Sequence, residues 1–317
     1  MTHVIEDVDK VEILTLQDNF IDMVTKDNSD VIQRALPLKG MEVSNSILAE
    51  PGFSALVTIT RNGQTRSLLF DFGFSEDGAA RNAEALNVDL SAVEVLALSH
   101  GHLDHVGGLK KLTGLVGKKR LDLVLHPWSF VNPRYLKITE ALKAYFPAFT
   151  REKAQACGVN LIETEEPYAL LDGQALFLGQ IKRVTDFEKG APDLCCEVDG
   201  QQMSDPFHDD TGIAFNVKGK GLVVLSGCAH AGIVNTVKHA RQVTGIDKVY
   251  AIMGGFHLSG TDFDTVVAPT TEGLKAFDPD YVVPTHCTGR EVGIYIENQM
   301  PDQFILNMSG TKLTFSA

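Results

Sequence analysis

The stretch ALSHGHLDHVGGL, from Ala97 to Leu109, places three histidines and an aspartate within six consecutive residues, directly after an apolar run and before a pair of glycines. Imidazole nitrogens and a carboxylate oxygen are donors that zinc, manganese and iron accept, and no thiolate stands among them. Residues two apart leave an extended segment on the same side, so His100 and His102 point together across Gly101, whose missing side chain permits an unusual backbone angle. Asp104 and His105 fall on the first turn of a following helix. One pair can serve one metal and the other pair a second, while Gly107 and Gly108 let the helix start lie close against neighbouring backbone.

The elements that must position these donors are strands. The cluster begins at the end of VEVLALS, and four more histidines fall at or just beyond an apolar run: His126 after LDLVL, His230 after GLVVLSGC, His257 after VYAIMGGF and His286 after YVVPT. If neighbouring strands run the same way, these five histidines converge on one rim, the place where layered α/β sheets build their sites.

Residues 1–40 contain a strand-like VEILTL and a polar stretch, and read as an N-terminal extension ahead of a domain over residues 41–317. ALVTIT and SLLFDFG flank Asn62-Gly63, the signature of a β-hairpin, and AARNAEALNV follows as a helix. The segment from Pro127 to Gly158 reads as broken helix interrupted by Pro133 and Pro147, a helical insertion over the site. In the second half GIAFNVKGKGLVVLS reads as a hairpin and KVYAIMGG and YVVPT as strands. Between them Ile233, Val234, Val237, Ala240 and Val243 recur at helical spacing, with Gly245 as the stop. Mixed strands and helices through both halves give an α/β architecture of layers.

With 28 Lys and Arg against 41 Asp and Glu, the formal charge of −13 argues against nucleic acid and anionic membrane as partners. A small-molecule substrate is the expected partner, and an anionic one needs a local basic pocket. No run approaches the roughly 20 apolar residues of a membrane span, and the first residues lack a leader pattern, so a cytoplasmic location is expected. Five cysteines, an odd number without paired spacing, argue for reduced thiols rather than a disulfide framework.

His100-Gly101-His102-Leu103-Asp104-His105 matches the HxHxDH pattern, and the chain resembles the metallo-β-lactamase fold superfamily on it. More narrowly, it resembles the branch named for 7,8-dihydropterin-6-methyl-4-(β-D-ribofuranosyl)aminobenzene 5'-phosphate synthase. The blocks that carry this are GCAHAGI (Gly227 to Ile233), GGFHL (Gly254 to Leu258), HCTG (His286 to Gly289) and GQIKRVTDFE (Gly179 to Glu188), with Lys182 where proline is more usual. The resemblance implies a four-layer αββα sandwich with two divalent metal ions at its rim, zinc first, with manganese or iron as alternatives. It implies that His100, His102 and His230 hold one ion, and Asp104, His105 and His286 the other. His208 competes with His230, because related families carry a ligand histidine just before the preceding hairpin. Where many two-metal members have a bridging Asp, this chain has Cys228, so that Cys228 or an acid such as Asp209 substitutes, or a single ion is tightly held.

The implied activity is that of a metal-dependent hydrolase or phosphoryl-type transferase acting through a metal-bound hydroxide, on a pterin or ribose-phosphate compound. Asp104 would hold metal and orient the nucleophile, and His257 would act as an outer donor or leaving-group acid. Lys182, Arg183 and Arg290 are the basic residues near the motifs that could bind a substrate phosphate. The alternatives are a phosphodiesterase or lactonase, an iron-dependent oxygen or sulfur redox enzyme, and a non-enzymic sensor shaped by its metal.

Overall fold

The computed structural model describes residues 2–43 and 45–317. The first half comprises β1 (Lys10–Gln17), β2 (Ser54–Arg61), β3 (Gln64–Phe70), α1 (Gly78–Ala85), β4 (Val93–Ala97), α2 (Leu103–Val106), α3 (Leu109–Val116), β5 (Leu121–Leu125), β6 (Arg134–Lys137), β7 (Lys143–Tyr145), α4 (Arg151–Ala156) and β8 (Val159–Glu163). The second half comprises β9 (Tyr168–Leu170), β10 (Ala175–Phe177), β11 (Leu194–Val198), β12 (Gln201–Ser204), β13 (Gly212–Val217), β14 (Gly221–Ser226), α5 (Ile233–Thr244), β15 (Val249–Gly255), α6 (Val267–Lys275), β16 (Tyr281–Thr285), α7 (Arg290–Gln299) and β17 (Lys312–Ser316).

Two large sheets face each other. The first runs β8-β5-β4-β3-β2-β1-β17 and ends on the short strand Ile32–Gln33; the second runs β9-β10-β13-β14-β15-β16, with Asp7–Val8 paired to β13. Strands alternate sides residue by residue, and here both sides are covered. Leu68 and Phe70 of β3 join the core between the sheets, whereas Leu69 joins the core beneath the helices. The inner core sets Val11, Phe70 and Val124 against Phe177, Phe215 and Met253. Outside the first sheet α1, α3 and α4 contribute Ala83, Leu112 and Ala154; outside the second, α5, α6 and α7 contribute Val237, Leu274 and Ile296. Three cores separate four layers, helix, sheet, sheet, helix, which is an αββα sandwich.

β3, β4, β5 and β8 run parallel, as do β14, β15 and β16. Their carboxyl ends therefore open onto one rim of the sandwich. The β2–β3 hairpin turns through Asn62 and Gly63, both at positive φ (51° and 76°), the two-residue turn whose twist suits the flanking strands. Among the described residues, no helix is long and apolar enough to cross a membrane.

Two expectations need correction. The first forty residues are not an extension: β1 lies inside the first sheet, antiparallel to β2 on one side and to β17 on the other, with Val11 and Ile13 fully buried. Nor is the segment from Pro127 to Gly158 a helical insertion. It holds β6 and β7, which join β11 and β12 in a separate four-stranded antiparallel sheet, and its α-helix is the short α4. Tyr135 and Leu136 pair with Cys195 and Leu194, partners too distant in sequence for local periodicity to reveal.

Because Ile13 is fully buried between the sheets, Ile13→Ala should cost about 2–5 kcal/mol in urea unfolding. A loss below about 0.5 kcal/mol, the level of an ordinary surface substitution, would show that β1 is peripheral to the core.

Candidate metal centre

One loop from the first sheet and three from the second meet at the rim. The loop after β4 carries His100 and His102, and leads into α2 with Asp104 and His105; the ends of β14, β15 and β16 supply Cys228 with His230, His257, and His286 with Cys287. His100 and His230 face each other Nε2 to Nε2 at 3.2 Å, His105 Nε2 stands 3.1 Å from Cys228 Sγ, and His286 Nε2 stands 3.1 Å from Asp104 Oδ2. Ligands about 2.0 Å from a tetrahedral ion lie about 3.3 Å from one another. Among the described residues, donor atoms converge to within 4.8 Å in three groups: Asp104, His105, Cys228 and His286; His100, Cys228 and His230; Cys228, His257 and Cys287. Cys228 belongs to every group.

His102 is absent from those groups but close to them. Its ring lies 4.6 Å from that of His100 and 5.0 Å from that of His230, centroid to centroid, and it is packed by Phe146 and Phe207. Gly101 is required beside it, because a Cβ there would run into the carbonyl oxygen of Ser129.

The imidazoles are aimed by buried partners that the sequence did not single out. Asp71, just beyond β3, accepts the Ser99 N–H and the Ser99 hydroxyl, both at 2.7 Å, and its Oδ2 lies 2.7 Å from His105 Nδ1. With the Ser99 proton given to Asp71, the Ser99 oxygen is free to accept from His100 Nδ1 at 2.9 Å. One fully buried carboxylate thus favours the tautomers that leave Nε2 of His100 and His105 as lone pairs facing inward. His286 is set similarly: its N–H donates to Asp18 Oδ1 at 2.8 Å and its Nδ1 lies 2.8 Å from Asn19 Oδ1. The residues just after β1 therefore orient a donor that follows the sixteenth strand.

Electrostatics divide the donors into two sets. Burial, reinforced by neighbouring imidazoles, pushes His100 and His230 well below the usual histidine range, and burial with the Arg134 charge takes His102 down to about 3. These three offer neutral lone pairs. Burial acts the same way on His286, but Cys287 and Asp104 overcome it and raise His286 to about 9. Asp104 and Asp71 likewise raise His105, and Asp104 itself is held well below the carboxylate range by His105 and His286 against the effect of burial. A cation bound at the second set would compete with the proton that His286 holds up to about 9.

Two cavities open here. One, about 360 Å³, is walled by Phe74, Leu103, Tyr145 and Phe146 around Asp104 and Cys228; the other, about 500 Å³, lies beside Phe187, Phe256 and Phe263. His230 and His257 line both. The Nδ1 of His257 is buried without a hydrogen-bond partner.

Other candidates lie outside the centre. His208 Nδ1 contacts the Gln180 amide at 2.8 Å, and His126 Nδ1 accepts the Trp128 N–H at 3.0 Å as the cap of a turn. Asp209 is bound by Arg134 and lies outside the three donor groups, each of which includes Cys228. Lys182 and Arg183 are absent from the walls of both cavities. Lys182 is exposed, and the Arg183 guanidinium donates to the main-chain carbonyls of Pro206 and His230 at 3.1 and 3.2 Å, so Arg183 braces the loop. Arg290 is exposed at the start of α7. The α5 N-terminus, a ready anion site, is filled by the protein's own Glu188, which accepts from the N–H groups of Val234 and Asn235 at 2.8 and 2.9 Å.

Asp71→Asn should leave the fold intact and weaken zinc binding about 10- to 100-fold, measured by competition with a chromophoric chelator. Affinity within twofold of the unaltered protein would mean that Asp71 does not orient the ligands.

The metallo-beta-lactamase superfamily model matches residues 49–120. The chain is 29% identical over 259 residues to the 7,8-dihydropterin-6-methyl-4-(beta-D-ribofuranosyl)-aminobenzene-5'-phosphate synthase of Methanocaldococcus jannaschii, covering 81% of this chain and 85% of that one. It is 30% identical over 247 residues to an uncharacterised protein of the same organism, covering 76% and 85%. Among solved structures, a metal-dependent hydrolase of the beta-lactamase superfamily superposes with a TM-score of 0.72 at 23% identity, over 97% of this chain and all of that one. The metallo-beta-lactamase fold protein YhfI from Bacillus subtilis superposes with a TM-score of 0.51 at 11% identity, over 97% of this chain and 100% of its own. Fold, signature and relatives agree that this chain belongs to the metallo-β-lactamase superfamily.

Proposed function

We propose that the protein is a two-metal hydrolase or phosphoryl-type transferase acting on a small phosphorylated substrate with an aromatic portion. The observation that carries this reading is the sharing of Cys228 by the donor groups of both halves of the sandwich. The first ion would be held by His100, His230 and Cys228 with His102 adjoining, and the second by Asp104, His105, His286 and Cys228. The donor set fits zinc, which accepts nitrogen, thiolate and carboxylate together. When bound, the ions supply Lewis-acid activation of water and charge neutralisation at the substrate's reacting oxygens.

The chain's own residues do the rest. Asp104, held between His105 and His286, keeps a carboxylate at the floor of the smaller cavity and orients the attacking group there. His257, which lines both cavities, donates a proton to the leaving group. Phe74, Tyr145 and Phe146 exclude water and pack on the flat portion of the substrate. The lactonase alternative of the sequence reading would use the same walls without needing a phosphate.

The ions, when bound, would supply the positive charge that an anionic substrate requires. In a chain of net charge −13, Arg183 is engaged with main-chain carbonyls and Glu188 fills the α5 N-terminus. This reading replaces the phosphate-binding role expected of Lys182 and Arg183. The name of the archaeal relative supports a pterin-linked aminobenzene ribose phosphate as the compound class.

Turnover of a panel of phosphodiesters, lactones and pterin phosphates tests the reading, together with metal analysis of protein purified without added metal. Two equivalents of zinc or manganese and hydrolysis or transfer at phosphorus are expected. His257→Gln should lower turnover by about 10²- to 10⁴-fold with metal content unchanged. Stoichiometric iron with oxygen consumption and no activity on the panel would overturn the proposal.

A further inference from the structure

A buried ion cluster outside the donor groups touches the loop of His100 and His102 and supports the ring that packs on His230. Arg134, on β6, is 2% exposed; its Nε donates to Asp205 at 2.7 Å, and its two terminal nitrogens donate to Asp209 at 3.0 and 2.7 Å. Asp205 and Asp209 are equally buried, at 4% and 0% exposure. Such a group is costly to desolvate and strongly destabilising to break. Its carboxylates also reach beyond the guanidinium, each to a different loop.

Asp209 Oδ2 accepts the Gly101 N–H at 2.9 Å, which pins the backbone between His100 and His102. Asp205 Oδ1 accepts the Phe207 N–H at 2.9 Å and the Trp128 indole N–H at 3.3 Å. Phe207 is held at a φ of 53°, in the left-handed region, and its ring stacks on His230 at 4.1 Å with 5° between the planes. One arginine on the small sheet therefore fixes a five-residue segment whose last residue, Asp209, holds the loop of His100 and His102 and whose middle residue, Phe207, packs on His230. The other donor set is anchored elsewhere, on Asp71 and Asn19.

We infer that Arg134 is a positioning residue for the first metal site, acting through Asp209 on Gly101 and through Asp205 and Phe207 on His230. The inference rests on the proposed assignment of the two sites. A lysine cannot replace the arginine, because one ammonium lacks the planar fork that serves two carboxylates at once.

Zinc affinity of each site is read separately, the first in a His286→Ala background and the second in a His230→Ala background, with thermal unfolding recorded alongside. Arg134→Met and Arg134→Lys should each weaken the first site about 10- to 100-fold and leave the second within threefold. Asp209→Asn, which keeps an acceptor for Gly101, should fall between the arginine variants and the unaltered protein. Equal weakening of both sites, or no weakening in folded protein, would overturn the inference. If the arginine variants do not fold, Phe207→Leu carries the test: it should weaken the first site alone, and an unchanged first site would refute the role. Failure of the otherwise unaltered single-site backgrounds to bind zinc would instead refute the proposed metal centre.

Discussion

The structure turns on one contact between its halves, His105 Nε2 against Cys228 Sγ at 3.1 Å. His105 belongs to a loop of the first sheet and Cys228 to a loop of the second, so neither sheet alone makes a complete donor set. Both side chains are buried, at 0% and 2% exposure. Polar groups so placed need partners, and those partners extend outward in an ordered way: Asp71 and Ser99 behind His105 and His100, Asp18 and Asn19 behind His286, and Arg134 behind the loop of His102. The sandwich core brings the two rims to this distance, and the hydrogen bonds set the angles.

This arrangement explains why the beginning and end of the chain belong to the same sheet. β1 pairs with β17 through five residue pairs, and the residue after β1, Asp18, accepts from His286 and from the Asn307 amide. Pairing elements from opposite ends of the chain closes a large loop, an entropic cost that grows slowly with loop length. The burial of Val11, Ile13, Leu313 and Phe315 offsets it. The fold places its least local contacts beneath a donor, where the backbone needs the firmest support.

Much of the centre is legible in the sequence because donors adjacent in the chain stay adjacent in space. Four of them occupy six residues, and the others follow apolar strands that run parallel, so strand ends alone lead to one rim. The supporting residues escape the same reading. Asp71 stands 28 positions before Ser99 and reads as the end of an apolar strand. Arg134 lies between two prolines that suggest broken helix, whereas its strand is made by pairing with Cys196 far along the chain. Lys182 and Arg183, close to a motif in sequence, line neither cavity, because proximity along the chain does not fix which way a side chain turns. The β1 segment reads locally as a strand, but its place in the first sheet depends on partners roughly forty and three hundred residues away.

The shared thiol is tested most directly by cobalt substitution of the metal-free protein, because a thiolate bound to Co(II) gives an intense near-ultraviolet charge-transfer band that nitrogen and oxygen ligands do not. A thiolate common to both ions should make that band grow through both equivalents of cobalt, survive Cys287→Ala and vanish in Cys228→Ala. Two equivalents bound with no band, or a band complete after the first equivalent, would contradict a centre built around Cys228.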